Sequence, residues 1–113
     1  MQNPLLKCFP TLPLFERKII TAIARHVSKN DSNTKAYCIR IIDFELDCLN
    51  PSDITERLRW LKEKTVHIWI DGDLAAVPLL TDIRYDDRKK NVTITFNSVL
   101  KFLYADIRET LCL

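Results

Sequence analysis

Apolar residues early in the chain follow the spacing of an amphipathic helix. Four of them recur at every fourth position: Phe15, Ile19, Ile23 and Val27. This spacing puts all four on one helix face, while Thr11 can cap the helix and Pro13 can enter its first turn. A polar run over residues 28–33 predicts the end of the helix and the start of a loop. Residues 1–11 precede this pattern and are expected to form an N-terminal arm.

A strand and two helices are predicted next. Residues 37–41 alternate apolar with other side chains, which favours a short strand. A helix of one or two turns is favoured over residues 44–49. The dipeptide Asn50-Pro51 then predicts a longer helix over residues 51–64, because asparagine is a preferred cap and proline fits the first helical position. The expected buried face of that helix contains Ile54, Leu58 and Leu61.

Beyond residue 64 the hydrophobic period changes from about 3.6 to about 2, which indicates strands. Residues 66–70 alternate up to Asp71-Gly72, a dipeptide that favours a turn. Two further alternating segments flank a charged turn and predict a hairpin over residues 85–92. A last helix can be capped by Asn97 or Ser98.

The predicted element order is helix, strand, short helix, helix, strand, hairpin, helix. Three helices followed by a hairpin with a charged tip is the layout of a winged helix, an α+β fold. Residues 44–49 and 51–64 are expected to form the helix-turn-helix pair, and the hairpin over 85–92 is expected to form the wing. We therefore predict a single winged-helix domain over residues 12–113.

The composition narrows the possible functions. The 113 residues include one glycine, Gly72, whereas phosphate-cradling loops, dinucleotide-binding loops and nucleophile elbows need at least two glycines close together. The charge balance is 17 basic against 15 acidic residues, a net charge of +2. Proteins that hold nucleic acid by overall charge are far more basic, so any DNA contact must come from a local patch.

The cysteines, histidines and aspartates form no pattern typical of a reactive site. Four cysteines have no close pairing: Cys8, Cys38, Cys48 and Cys112. Reduced thiols in the cytoplasm are the simplest interpretation for a domain that can fold without disulfides. Neither histidine has a cysteine or carboxylate at ligand spacing, and the paired aspartates flank predicted turns. We expect no enzymatic activity, metal, cofactor or membrane span.

The predicted helix over residues 51–64 carries one candidate DNA-binding stripe. At about 100° per residue, Arg57, Trp60 and Lys64 fall together, away from the buried face. Cations beside an aromatic ring suit a phosphate backbone or a partner protein, although two glutamates on the same side argue against base reading. The alternative is an ordinary Asp53–Arg57 pair, with Trp60 packed under the arm or the last helix.

The charged turn of the predicted wing is the second candidate. Its three adjacent cations form the densest basic cluster of the chain, but two neighbouring aspartates weaken their field, and a solvated turn is the alternative. Together with the helix, the candidate DNA-binding residues are Arg57, Arg59, Lys62, Lys64, Arg88, Lys89 and Lys90. We expect weak contact with the phosphate backbone of double-stranded DNA.

Apolar residues at positions expected to face solvent predict self-association. Exposed aromatic residues and unpaired strand edges are typical association surfaces. The candidate dimer interface consists of Trp60, Trp69, Leu111 and Leu113. We therefore expect a homodimer.

Five segments of the chain are familiar as a set: residues 14–20 (LFERKII), 54–61 (ITERLRWL), 64–68 (KTVHI), 83–85 (IRY) and 92–97 (VTITFN). They resemble the N-terminal winged-helix domain of plasmid replication initiators, the iteron-binding Rep family. Their order and spacing carry the resemblance, which covers residues 12–104.

The resemblance implies a role in DNA replication. Initiators of this family have two winged-helix domains, of which the second reads the iteron and the first mediates dimerisation and contacts the DNA backbone beside it. The chain ends at Leu113, where the resemblance puts the start of the second domain. The implied partners are double-stranded DNA, a second copy of the chain and host replication proteins. The alternative function is a stand-alone winged-helix transcriptional regulator or protein-interaction module.

Overall fold

The computed structural model describes residues 3–33, 35–45 and 51–113. The helices in these ranges are α1 (Pro4–Cys8), α2 (Leu14–His26), α3 (Pro51–Glu63) and α4 (Lys101–Thr110). The strands are β1 (Tyr37–Arg40), β2 (Thr65–Ile70), β3 (Asp73–Pro78), β4 (Asp82–Asp86) and β5 (Asn91–Thr95). Three 3₁₀ turns lie at Phe9–Thr11, Ile41–Phe44 and Ser98–Leu100. The mixture of helices and antiparallel strands agrees with the predicted α+β class.

The predicted wing is part of a three-stranded antiparallel sheet. Strands β4 and β5 form its hairpin, and β1 pairs with the other edge of β5, so the strand order is β1-β5-β4. Ile39 lies opposite Val92, and Ile83 lies opposite Ile94. The hydrophobic residues of β1 and β5 face the protein interior, which leaves a polar face toward solvent.

Strand β2 does not join this sheet, because it pairs with β3 in a separate hairpin. The turn between them is the predicted Asp71-Gly72, whose φ angles of 52° and 87° are the left-handed values that a type I′ turn needs. The predicted order contains no strand at β3. Its sequence, DLAAVP, lacks a clear alternation and contains alanine and proline, which are poor strand formers.

The helices and the wing sheet enclose one hydrophobic core. Its fully buried members include Ile19, Ile20, Ile23, Ile39, Ile54, Leu58, Leu61, Val92 and Ile94. The predicted buried face of α3 is therefore confirmed. The buried Tyr104 of α4 donates a hydrogen bond to the carbonyl oxygen of Leu79 at 3.0 Å, and burial raises the pKa of its hydroxyl.

The segment expected to be an N-terminal arm is folded onto the domain. Asn3 caps α1 by accepting hydrogen bonds from the amides of Leu5 and Leu6 at 2.9 and 3.0 Å. Its Nδ2 donates to the carbonyl oxygen of Leu103 in α4 at 3.0 Å. Leu5 is completely buried. Burial of Leu5 and the double role of Asn3 therefore hold this segment against α4.

The ends of α2 and α4 differ in how well the sequence predicts them. Thr11 does not cap α2: its hydroxyl donates to the carbonyl oxygen of Cys8 at 2.7 Å, and Pro13 occupies the cap position. Asn97 does cap the last helical segment, since its side chain accepts a hydrogen bond from the Val99 amide at 3.1 Å.

The described part of the predicted short helix over residues 44–49 is not α-helical. A 3₁₀ turn covers Ile41–Phe44 and ends at Glu45, whose φ of 54° is left-handed. Lys18 of α2 donates to the Glu45 carbonyl oxygen at 2.8 Å and ties the turn to that helix. Residues 46–50 lie outside the described residues, so the rest of this prediction lies there as well.

Candidate nucleic-acid interface

The wing tip presents two cations that form no ion pair with the described residues. Asp86 Oδ1 closes the turn by accepting hydrogen bonds from the amides of Arg88 and Lys89 at 3.0 and 3.1 Å. Lys90 donates to Asp87 Oδ1 at 3.0 Å, and this bond lowers the pKa of Asp87 and raises the pKa of Lys90. The two aspartates are thus engaged within the turn. The side chains of Arg88 and Lys89 remain exposed and available to a ligand.

A shallow polar groove of about 560 Å³ lies beside this tip on the solvent face of the wing sheet. Its lining includes Arg84, Arg88, Lys89, Asn91 and Thr93. Guanidinium, ammonium, amide and hydroxyl groups are the donors that proteins use to bind phosphate oxygens. Asp86 and Asp87 also line the groove, and Arg84 is paired with Asp82 at 3.1 Å. The cations of the groove without an ion pair among the described residues are therefore Arg88 and Lys89.

Two of the predicted DNA-binding cations of the α3 region make contacts with other residues of the chain. Lys64 Nζ lies 2.6 Å from Oε2 of Glu16, whose side chain is 1% exposed. The guanidinium of Arg57 lies over the Phe15 ring, 4.7 Å from its centroid, as a cation–π contact. Both contacts join α3 to α2. Lys64 and Arg57 therefore help to hold the two helices together.

The outward face of α3 carries mixed charge around an exposed tryptophan. Trp60 is 57% exposed, so it is not packed under another element as the alternative supposed. Glu56 and Glu63 are exposed and form no ion pair with the described residues. Arg59 and Lys62 are exposed on the same helix. Cations and carboxylates alternate here, which makes this face a weaker phosphate surface than the wing tip.

The predicted dimer residues lie on three different elements. Trp69 stands directly opposite Leu74 in the β2–β3 hairpin, and the two side chains are 67% and 54% exposed. Leu111, just after α4, is 39% exposed. Leu113 packs against the core instead, so it offers little free surface. Trp69 and Leu74 therefore form an exposed apolar pair, and Leu74 is a member that the sequence pattern did not indicate.

Helix α2 carries further cations that the sequence analysis did not single out. Arg17, Thr21 and Arg25 follow one another at every fourth position on the helix and line one shallow pocket. Their spacing was the available signal, because residues four apart share a helix face. Glu16 was also missed, although its place among the apolar residues of α2 indicated a buried carboxylate that needs a cation.

The described residues contain no group of three histidine, cysteine or carboxylate side chains that could hold a metal ion. No helix in these same ranges has the length and apolar character needed to cross a membrane. Cys8, Cys38 and Cys112 are free thiols.

Two comparisons with known proteins are informative for this geometry. Among solved structures, the chain is similar to the WH1 domain of MSBI1.176, a replication protein isolated from a multiple sclerosis patient. The TM-score is 0.63 at 18% sequence identity, over 95% of this chain and 91% of that one. An identity this low shows the fold alone, and it confirms the predicted winged helix.

Sequence comparison supplies the family. No curated protein matches the chain. A family model described as "Initiator Replication protein, WH1" matches residues 1–111, almost the whole length. This match confirms the resemblance that the sequence segments suggested. The chain belongs to the WH1 family of initiator replication proteins.

Proposed function

We propose that this chain is the N-terminal domain of a plasmid replication initiator, that it contacts the DNA backbone through its wing, and that it pairs with a second copy through the β2–β3 hairpin. It acts in the cytoplasm as a binding protein without catalytic activity, together with host replication proteins. Membership of the initiator WH1 family supports the role in replication.

The proposal of DNA contact rests on the wing tip. Arg88 and Lys89 are exposed, while the neighbouring aspartates are engaged by backbone amides and by Lys90. Two free cations beside a polar groove can neutralise phosphates, and we propose that they contact the backbone rather than base edges. Binding of this kind is sequence-tolerant and depends strongly on salt.

Charge removal at the wing tests this contact. Arg88→Gln combined with Lys89→Gln is expected to weaken binding to a labelled duplex roughly tenfold or more at low salt, because two phosphate contacts are lost. The melting temperature is expected to stay the same, since both side chains lie in an exposed turn. Arg59→Gln with Lys62→Gln removes the same charge from α3 and is the matched control.

The outcomes of this titration separate the possible functions. A larger loss in the α3 control than in the wing variant would make α3 the DNA-contacting element. If folded wild-type protein binds no duplex at low salt, DNA contact is wrong and the protein-interaction alternative replaces it. The exposed Trp60 between two unpaired carboxylates would then be the first surface to examine.

The dimer proposal rests on the cross-strand pair of Trp69 and Leu74. Two large apolar side chains standing side by side on a solvent-facing hairpin are typical of an interface core. The same hairpin has a free strand edge, because β2 and β3 form a two-stranded sheet of their own. A second copy can bury both features through a symmetric contact.

Sedimentation equilibrium at micromolar concentration tests the dimer. The expected species has twice the chain mass of 13.2 kDa. Trp69→Ser with Leu74→Ser is expected to yield a folded monomer. Trp60 is also an exposed tryptophan, and the Trp60→Ser variant is expected to remain dimeric. A wild-type protein that stays at 13.2 kDa throughout this range would exclude the proposed pairing.

A further inference from the structure

The solvent side of α2 carries cations that take no part in the proposed DNA and dimer contacts. Arg17 and Arg25 stand eight residues apart with Thr21 midway, so all three share one helix face. Neither arginine side chain forms a hydrogen bond or ion pair with another described residue. Arg17 Nε is buried and still has no acceptor. Buried donors of this kind normally have a partner, so the Arg17 side chain has hydrogen-bonding capacity that the described residues do not use.

The three residues line a shallow pocket of about 170 Å³, whose other lining residues include Asp43 and Phe44 of the 3₁₀ turn together with Glu45. Asp43 is neutralised by Arg40, which bonds to its two oxygens at 3.1 and 3.2 Å. The Glu45 carboxylate forms no ion pair with the described residues and, among the lining residues that the structure describes, is the one uncompensated negative group.

The positive groups of this pocket outnumber that single carboxylate. Lys18 contributes a third cation, although its ammonium already donates to the Glu45 carbonyl oxygen at 2.8 Å. Two guanidinium groups and one hydroxyl therefore remain as free donors. Arginine guanidinium groups bind phosphate oxygens with two parallel hydrogen bonds, and a threonine hydroxyl adds a third donor.

The pocket is joined to the wing tip by the same 3₁₀ turn. Its first residue, Ile41, donates from its amide to the carbonyl oxygen of Lys90 at 2.9 Å. Its last residue, Phe44, lines the α2 pocket. Four residues of 3₁₀ helix span about 8 Å. The wing tip and the α2 pocket therefore flank one short turn.

We infer that Arg17, Thr21 and Arg25 form a second contact for the DNA backbone, in which the two arginines bind phosphates next to those that Arg88 and Lys89 hold. This inference rests on the proposed DNA contact of the wing and adds a site on a different element. The ligand is a phosphodiester of duplex DNA rather than a free anion, because the pocket is shallow and adjoins a second cationic surface along the path of a backbone.

Duplex titration of Arg17→Gln with Arg25→Gln tests the inference. The variant keeps most of each side chain and removes both charges. We expect roughly tenfold weaker binding at low salt, and a log–log salt slope that is less steep by about 2, because two phosphate contacts at about 0.9 each are lost. Arg59→Gln with Lys62→Gln removes equal charge from α3 and is expected to change the binding less.

A variant that is expected to strengthen binding provides a second test. Glu45→Gln removes the uncompensated carboxylate of the pocket, so it is expected to strengthen duplex binding. Melting temperatures show whether each variant is folded. Should the double arginine variant unfold, Arg25→Gln alone tests the inference. Because Arg25 is exposed, this single substitution is expected to weaken binding by itself.

The results distinguish this inference from the proposed function. If the wing variant binds weakly while the folded α2 variant binds like the wild type, the α2 site is wrong and the wing contact stands. If the wild type binds no duplex, both are wrong. Inorganic phosphate and chloride are compared, at equal ionic strength, as competitors of duplex binding. If phosphate alone displaces the duplex from the wild type, the pocket is a free-anion site and the backbone assignment is overturned.

Discussion

Lys62 and Lys64 stand two residues apart, and their surroundings give them different roles. Lys62 is exposed, whereas Lys64 is bonded to the buried Glu16. Helical periodicity could predict which α3 residues enter the core, because that depends only on spacing along one helix. It could not predict the partner of Lys64, because Glu16 lies 48 residues away in the sequence and meets it only when α2 and α3 pack together.

Loss of the Lys64 ammonium is expected to destabilise the fold. Glu16 Oε1 already lacks a hydrogen-bond partner, so Lys64→Ala would leave a buried carboxylate without compensation. Lys64 is itself partly exposed, so the expected cost is about 1.5–3 kcal/mol, the range for a hydrogen bond to a charged group. Urea unfolding measures this cost.

Lys62→Ala is the matched control for that measurement, with an expected change within about 0.5 kcal/mol because the side chain is exposed. Equal stability of the two variants would show that the Glu16–Lys64 pair contributes nothing.

At the scale of elements, the dipeptide Asn-Pro marks the starts of two helices, of which only one is predicted above. Asn50-Pro51 predicts the start of α3, which does begin at Pro51. Asn3-Pro4 is the same dipeptide and starts α1, with Asn3 as its cap. The helix that follows has only five residues, too short for a hydrophobic period to show. Its place in the fold depends on α4, which no local pattern near residue 3 can reveal.

The turn of the β2–β3 hairpin depends on backbone conformation. A Cβ at Gly72 would meet no atom within 4 Å, so only its φ of 87° opposes substitution. Gly72→Ala is therefore expected to cost about 1–2 kcal/mol, the penalty for a left-handed L-residue. Thermal unfolding measures the loss.

Asp71→Asn is the control for this turn, since asparagine also tolerates positive φ and is expected to leave stability unchanged. A Gly72→Ala variant as stable as the wild type would mean that the hairpin adopts another turn.

The loop between α2 and β1 is organised by one aspartate. Asp31 Oδ2 accepts hydrogen bonds from the Ser28 amide and the Tyr37 hydroxyl, both at 2.8 Å. These bonds, the Ser28 bond first, hold the pKa of the Asp31 carboxyl below its usual value. In β1, burial first and then the Asp31 contact raise the pKa of Tyr37. Ionised Asp31 therefore stabilises the folded state.

This contribution has a defined dependence on pH. A carboxyl whose pKa is lower in the folded state stabilises above its unfolded pKa of about 3.9 and loses that effect as the pH falls through the folded value. The difference in melting temperature between the wild type and Asp31→Asn is expected to be constant at neutral pH and to shrink below about pH 4. A difference that grows on acidification would contradict the assignment.

At the scale of the whole molecule, the proposed contacts lie on separate elements. The β2–β3 hairpin carries the apolar pair proposed for a second copy, while the wing tip and α2 carry the cations proposed for DNA. Hydrophobic patterning and the order of segments were sufficient to predict the winged helix and its family. The division of surfaces was not predictable, because it depends on which charges are neutralised after the helices and strands pack.

The salt dependence of duplex binding tests the central claim, which is that this initiator domain holds DNA by its backbone. Arg88, Lys89, Arg17 and Arg25 are proposed to make about four phosphate contacts, so the log–log slope of affinity against salt concentration is expected to lie between about −3 and −4. Two duplexes of unrelated sequence are expected to show the same slope and similar affinities. Tight binding to one sequence that changes little with salt would contradict the claim, because it would require base contacts that none of these four cations is proposed to make.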